Sequence, residues 1–128
     1  MPRKTDKPTE RELDILKVLW ERGPSRVREV YELLNRSEDL SFTTVQTMLQ
    51  VMFDKELVSR EMMGRSLIYT AKVKREEAER AMVGDLLERL FGGSAQQLLA
   101  RALDVKKASL EELKAIQQLL DKTRKGKS

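Results

Sequence analysis

Apolar residues recur at helical spacing along the first part of the chain. Leu13, Leu16 and Trp20 form one stripe, with Ile15 and Leu19 beside it, which predicts an amphipathic helix. Thr9-Glu10-Arg11-Glu12 fits a capping box at its start, with Thr9 as N-cap and Glu12 at the third helical position, and Gly23-Pro24 ends it. Val27, Val30, Tyr31 and Leu34 mark the apolar face of a second helix, which Ser25 is placed to cap. Asn35 to Asp39 is a polar loop, and Ser41 opens a third helix that runs to about Lys55.

The period then shifts from 3.6 towards 2. Val58 to Met63 reads as a strand, Gly64-Arg65 as a tight turn and Leu67 to Ala71 as a second strand. Glycine at the first turn position suits a type II′ hairpin. Three helices followed by a hairpin is the order of a winged helix-turn-helix. Lys74 to Phe91 predicts a long helix stopped by Gly92-Gly93. Ser94 caps a short helix bearing Leu98, Leu99, Ala102 and Leu103, and Ser109 with Glu112 opens a last helix with Leu113, Ile116 and Leu120 at heptad spacing.

The expected fold is therefore mainly α with a small β-hairpin. A winged helix-turn-helix domain over residues 1–73 is followed by a C-terminal three-helix dimerisation region over residues 74–128. Leu86, Leu87, Leu90, Phe91, Leu98, Leu99, Leu103, Leu113, Ile116 and Leu120 are too many large apolar side chains for three short helices to cover by themselves. A second copy is the natural cover, so the pattern predicts a homodimer. Trp20, Tyr31 and Phe53, together with Met48, Met52, Met62, Met63 and Met82, are expected to fill apolar space rather than to bind a ligand or metal.

The third helix carries the functional signal. Ser41 to Phe53 contains no charged residue in a chain whose charged residues amount to 36%. Val45, Met48, Leu49 and Met52 form its apolar stripe. Thr43, Gln46, Thr47 and Gln50 form the opposite one at i, i+3, i+4 and i+7, with Thr44 on its flank. β-Branched threonine lowers helix propensity, so a merely solvated face would favour Lys, Glu, Gln or Arg. A face that reads base edges has a use for these groups: Gln makes two hydrogen bonds to adenine, and a Thr methyl packs on the thymine methyl. Hydroxyls such as that of Ser41, and the helix N-terminus, hold phosphates. Arg65 at the hairpin tip and Arg60 on its first strand supply cations for phosphates or the minor groove. Arg3 and Lys4 in the N-terminal tail are further candidate phosphate contacts. The same uncharged face also fits a winged-helix module that holds a protein and never meets DNA.

Composition narrows the chemistry. The 128 residues contain neither Cys nor His, which excludes disulfides, thiolate metal sites, the usual general base and the commonest metal ligand. With no Gly-rich phosphate loop and no Ser-centred nucleophile motif, an enzyme is not expected, and no cofactor is implied. The net charge of +4 is spread over both halves and does not by itself mark a nucleic-acid binder. No apolar run is long enough to span a membrane and no signal-peptide core follows Met1, so a cytoplasmic location without membrane insertion is expected.

Thr9-Glu10-Arg11-Glu12-Leu13-Asp14-Ile15-Leu16, Val18-Leu19-Trp20, Val27-Arg28-Glu29-Val30 and above all Thr44-Val45-Gln46-Thr47-Met48-Leu49 bring a family into view. With Gly64-Arg65, Tyr69-Thr70 and Phe91-Gly92-Gly93-Ser94, they make the chain, from about Thr9 to Asp121, resemble the penicillinase-repressor family of bacterial transcription regulators. This is the BlaI/MecI group, with the CopY copper repressors as relatives. The resemblance implies a homodimeric repressor whose winged helix binds double-stranded operator DNA arranged as an inverted repeat, with most contacts from the segment Ser41 to Thr47. It also implies a regulatory protease as a partner. Many members repress a β-lactamase or a penicillin-binding protein and are inactivated by cleavage in the C-terminal region. Two departures stand out. The paired Cys motifs of the copper-responsive relatives are missing, and the Asn-Phe bond of the cleaved members is here Arg101-Ala102.

Overall fold

The computed structural model of the chain describes residues 7–36 and 39–126. Six helices and three strands lie among them, in the order α1 (Glu10–Arg22), β1 (Ser25–Arg26), α2 (Val27–Leu34), α3 (Phe42–Asp54), β2 (Val58–Met63), β3 (Ser66–Ala71), α4 (Arg75–Phe91), α5 (Ala95–Val105) and α6 (Leu110–Gly126). The architecture is a winged helix followed by helices, as the hydrophobic periods predict. Contacts divide the chain into two compact units, Met1–Asp85 and Leu86–Ser128.

Local chemistry sets most element ends. At α1 the Thr9 hydroxyl accepts the Glu12 backbone N–H (3.2 Å), and Glu12 Oε1 accepts the Thr9 N–H (2.9 Å). Gly23, at φ 90°, ends the helix with its N–H on the Leu19 carbonyl. Ser41 Oγ accepts the Thr44 N–H at α3 (3.1 Å), Ser94 Oγ the Gln97 N–H at α5 (3.1 Å) and Ser109 Oγ the Glu112 N–H at α6 (3.1 Å). In the β2–β3 turn Gly64 has φ 66°, whereas Arg65 is not among the residues with positive φ. That combination is what a type II′ turn requires and a type I′ turn forbids.

One expected cap is corrected. Ser25 does not cap α2; it lies in β1, opposite Tyr69 of β3, fully buried, with its hydroxyl donating to the Gly23 carbonyl (2.8 Å). Arg26 is the N-cap residue instead, and its N–H donates to Glu29 Oε1 (2.8 Å). That bond, followed by the Arg22 guanidinium, holds the Glu29 carboxyl below its ordinary range. The sheet is thereby three-stranded and antiparallel, ordered β1-β3-β2.

The core of the first unit is built from Ile15, Leu16 and Leu19 of α1, Val30 and Leu34 of α2, and Val45, Leu49 and Met52 of α3. Leu57, Val58, Tyr69 and Val73 close it from the sheet side. Trp20, Tyr31, Met48 and Phe53 pack partly buried against it. Met62 and Met63 do not fill the core: they stand 59% and 61% exposed at the outer end of the hairpin, because β2 runs on past the last helix that could cover it.

The sequence reading divides the chain at Lys74, whereas the contacts carry the first unit on to Asp85. Ala78 of α4 is fully buried, the Trp20 indole N–H donates to the Val73 carbonyl (3.0 Å), Arg75 lies over the Trp20 ring (5.5 Å), and Lys7 pairs with Asp85 (2.6 Å). These contacts tie the start of α4 to α1. Gly84, in mid-helix beside this division, has open space where a Cβ would stand.

Glu12 is the one buried carboxylate among the described residues. Besides its cap it accepts Lys55 Nζ on Oε2 (2.8 Å), which joins the start of α1 to the end of α3. Glu12→Ala removes both interactions and leaves the Thr9 N–H without its partner. We expect a loss of about 2 kcal/mol, the upper end for a helix cap. Urea unfolding followed by Trp20 fluorescence measures it, and a loss under about 0.5 kcal/mol would show that water replaces Glu12 at no cost.

Candidate nucleic-acid interface

α3 is seated by its apolar stripe, with Val45, Leu49 and Met52 fully buried. The opposite stripe is thereby turned outward: Ser41, Thr43, Thr44, Gln46, Thr47 and Gln50 are all exposed. α2 braces the start of the helix through an edge-to-face contact between Tyr31 and Phe42, with ring centroids 5.6 Å apart. The Arg28 guanidinium lies over the Phe42 ring, 5.1 Å from its centroid. Arg28 therefore brings a cation to the N-terminal end of α3. Sequence reasoning passed over it because its place depends on packing between two helices.

The exposed residues are not equivalent. The Ser41 and Thr44 hydroxyls are 2.8 Å apart and bond each other, while Ser41 Oγ also caps the helix. Gln50 is engaged at both ends of its amide: Oε1 accepts from Arg60 (2.6 Å) and Nε2 donates to Asp54 (3.3 Å). Thr43, Gln46 and Thr47 make no side-chain hydrogen bond to another described residue, so their full bonding capacity faces outward. Helical spacing puts all three on one face.

Arg60 is half-buried rather than free at the surface. Its guanidinium stacks on the Phe53 ring (3.9 Å), bonds Gln50 and reaches the Tyr69 hydroxyl (3.5 Å). It thus ties the hairpin to the end of α3. Arg65, at the hairpin tip, is exposed. Lys55, the cation at the end of α3, is held by Glu12. Arg3 and Lys4 lie outside the described residues.

Among the described residues no group of three or more His, Cys, Asp or Glu side chains is placed to hold a metal ion. No helix among them is long and apolar enough to cross a membrane. The outward face thus offers neutral hydrogen-bonding groups, with Arg28 packed on Phe42 at the start of α3 and Arg65 exposed at the hairpin tip.

The sequence model of the penicillinase repressor family matches residues 8–122. The chain belongs to the penicillinase repressor family. It is 32% identical over 110 residues to the transcriptional regulator BlaI of Mycobacterium tuberculosis, covering 84% of this chain and 78% of that one. Its fold is similar to the solution structure of the DNA-binding domain of the repressor BlaI, with a TM-score of 0.52 and 27% identity over 59% of this chain and 92% of that one. It is similar also to the monomeric BlaI of Bacillus licheniformis solved in complex with the blaP half-operator, with a TM-score of 0.50 and 27% identity, covering 56% and 87% of the two chains. The penicillinase repressors are DNA-binding transcriptional repressors and not enzymes, and this chain is accordingly a repressor-type regulator with a winged-helix DNA-binding domain.

Proposed function

We propose that this penicillinase-repressor relative acts as a homodimer on an inverted-repeat operator. α3 of each subunit reads base edges in the major groove and the β2–β3 wing contacts the adjacent backbone. The observation that carries the reading is the α3 face itself, where Thr43, Gln46 and Thr47 stand exposed without a described partner in a helix free of Lys and Glu. Ser41 and Thr44 shape the N-terminus that meets a phosphate, and Gln50 positions Arg60. Arg65 adds a phosphate contact, as do Arg3 and Lys4 of the tail.

Dimerisation falls to the second unit together with the end of α4. α5 and α6 contain no buried residue, and none of the ten apolar positions singled out from the sequence, Leu86 to Leu120, is buried. Leu90 is 68% exposed, and Val105, Leu110 and Leu119, which the heptad reading passed over, are 78%, 70% and 64% exposed. So much open leucine surface calls for cover, and a second copy offers it on the order of 2,000 Å² of burial. A regulatory protease acting on α5 or on the segment before α6 would separate the subunits and release the operator. Arg101 and Ala102, at the position of the family's cleaved bond, are both exposed in α5. β-Lactam-resistance genes are the proposed targets.

The test is binding of the full chain to duplexes from its own upstream region, combined with sedimentation at micromolar concentration. We expect a dimer that prefers two half-sites about 34–36 Å apart, or a multiple of that spacing. A stable monomer, or equal affinity for half-sites shifted by half a turn, would falsify dimeric readout.

A further inference from the structure

The strand register places an apolar pair outside the core cluster of the winged domain. Met62 of β2 pairs with Leu67 of β3, and Arg60 pairs with Tyr69. Side chains two apart on a strand share a face, so Met62 and Leu67 stand on the face from which Arg60 reaches α3, about 7 Å further out. They are 59% and 37% exposed. The chain of contacts is continuous: the open α3 face ends at Gln50, Gln50 accepts from Arg60, Met62 follows Arg60 along β2, and Arg65 stands at the tip.

We propose that Met62 and Leu67 are DNA contacts, packing on the deoxyribose wall of the minor groove next to the groove that α3 enters. This rests on the DNA reading above and adds to it an apolar component. The flanking charge selects the occupant. An apolar protein surface laid on this pair would also have to cover the guanidinium of Arg65, whereas a duplex presents sugar carbons between phosphates and satisfies both. Met and Leu are among the side chains that proteins place in minor grooves, where their contact is steric and apolar. Met62 is unbranched and polarisable, so it adapts to a groove whose width varies with sequence.

An apolar contact leaves a signature that a phosphate contact does not. It releases no counterions, so its loss weakens binding by the same factor at every salt concentration. The experiment titrates full-length wild type, Met62→Gln/Leu67→Gln, Met62→Ser and Arg65→Ala against a duplex recovered by the wild-type chain from a randomised library, at 50 and 200 mM salt. We expect the double variant to lose about tenfold in affinity at both salts, as on the order of 60 Å² of lost apolar burial implies. Its log–log salt slope should match that of wild type, and Met62→Ser should lose a smaller factor. Arg65→Ala should instead flatten the slope. Exchanging the two side chains by combining Met62→Leu with Leu67→Met should retain binding. Binding of the double variant within twofold of wild type at both salts, or a loss confined to low salt, overturns the wing proposal and leaves readout by α3 standing. A changed sedimentation of the DNA-free double variant also overturns it, by making the pair a contact between copies. Failure of the wild-type chain to recover any duplex overturns the DNA reading and this proposal together. Both side chains are exposed, so thermal unfolding of each variant should stay close to wild type.

Discussion

Cutting the chain after Asp85 should leave a folded monomer that binds its operator roughly 10²–10⁴-fold more weakly than the full chain. The reason lies in where burial stops. Every buried apolar residue among those described lies at or before Ala78, so the winged helix keeps its whole core in the shortened chain. What it loses is the leucine surface of α5, α6 and the end of α4, and with it the partner that holds a second half-site at high effective concentration. The position of the cut matters. A chain ending at Lys72 also loses Val73, whose carbonyl accepts the Trp20 indole N–H, and Ala78, which is fully buried. It should be measurably less stable than the chain ending at Asp85, with the difference visible in urea unfolding read by Trp20 fluorescence. Operator affinity of the Asp85 chain equal to that of the full chain would show that linkage between subunits does not drive binding. Proteolysis in the C-terminal helices would then not be the switch.

Gln46→Ala and Thr47→Ala should each remove base discrimination. A lost base contact is worth about 1–3 kcal/mol, and in a dimer on a palindrome it is lost twice, for about 2–6 kcal/mol per substitution. Binding to scrambled DNA should fall far less, because phosphates supply most of it. Arg65→Ala should show the reverse pattern: operator and scrambled DNA weakened alike, and the log–log salt slope reduced by about one unit per subunit. Gln50→Ala should differ from both, since it frees Arg60 rather than removing an open hydrogen-bonding group. Titrations on both duplexes at several salt concentrations separate these outcomes. Equal losses on operator and scrambled DNA for Gln46→Ala would remove this residue from base readout.

The face of α3 is legible in the amino-acid sequence because it depends on a short-range pattern. Once Val45, Leu49 and Met52 point inward, helical geometry sends Thr43, Gln46 and Thr47 outward. The state of each group on that face is not legible there. Gln46 and Gln50 are equivalent in the pattern, yet Gln50 is tied at both ends while Gln46 is open, because β2 carries Arg60 to one of them and not to the other.

The same division runs through the whole chain. Local sequence sets most of the element ends, the start of α2 excepted, since Thr9 with Glu12, Ser41, Ser94, Gly64 and Gly92-Gly93 act on backbone groups within a few residues. It also determined the winged-helix order and the surplus of leucine in the last helices. Tertiary structure alone decided what rests on partners distant in the chain. β1 has only two residues and exists because β3 offers Tyr69 and Ile68 as partners, so no periodicity announces it and Ser25 looks like a cap. Glu12 is a capping residue by sequence and an ion-pair partner of Lys55 only once α3 is folded against α1. Met62 carries the same apolar signal as Met52, but one is exposed and the other fully buried, because the hairpin outruns the helices. Apolar character is a property of the side chain; burial is a property of what stands opposite it.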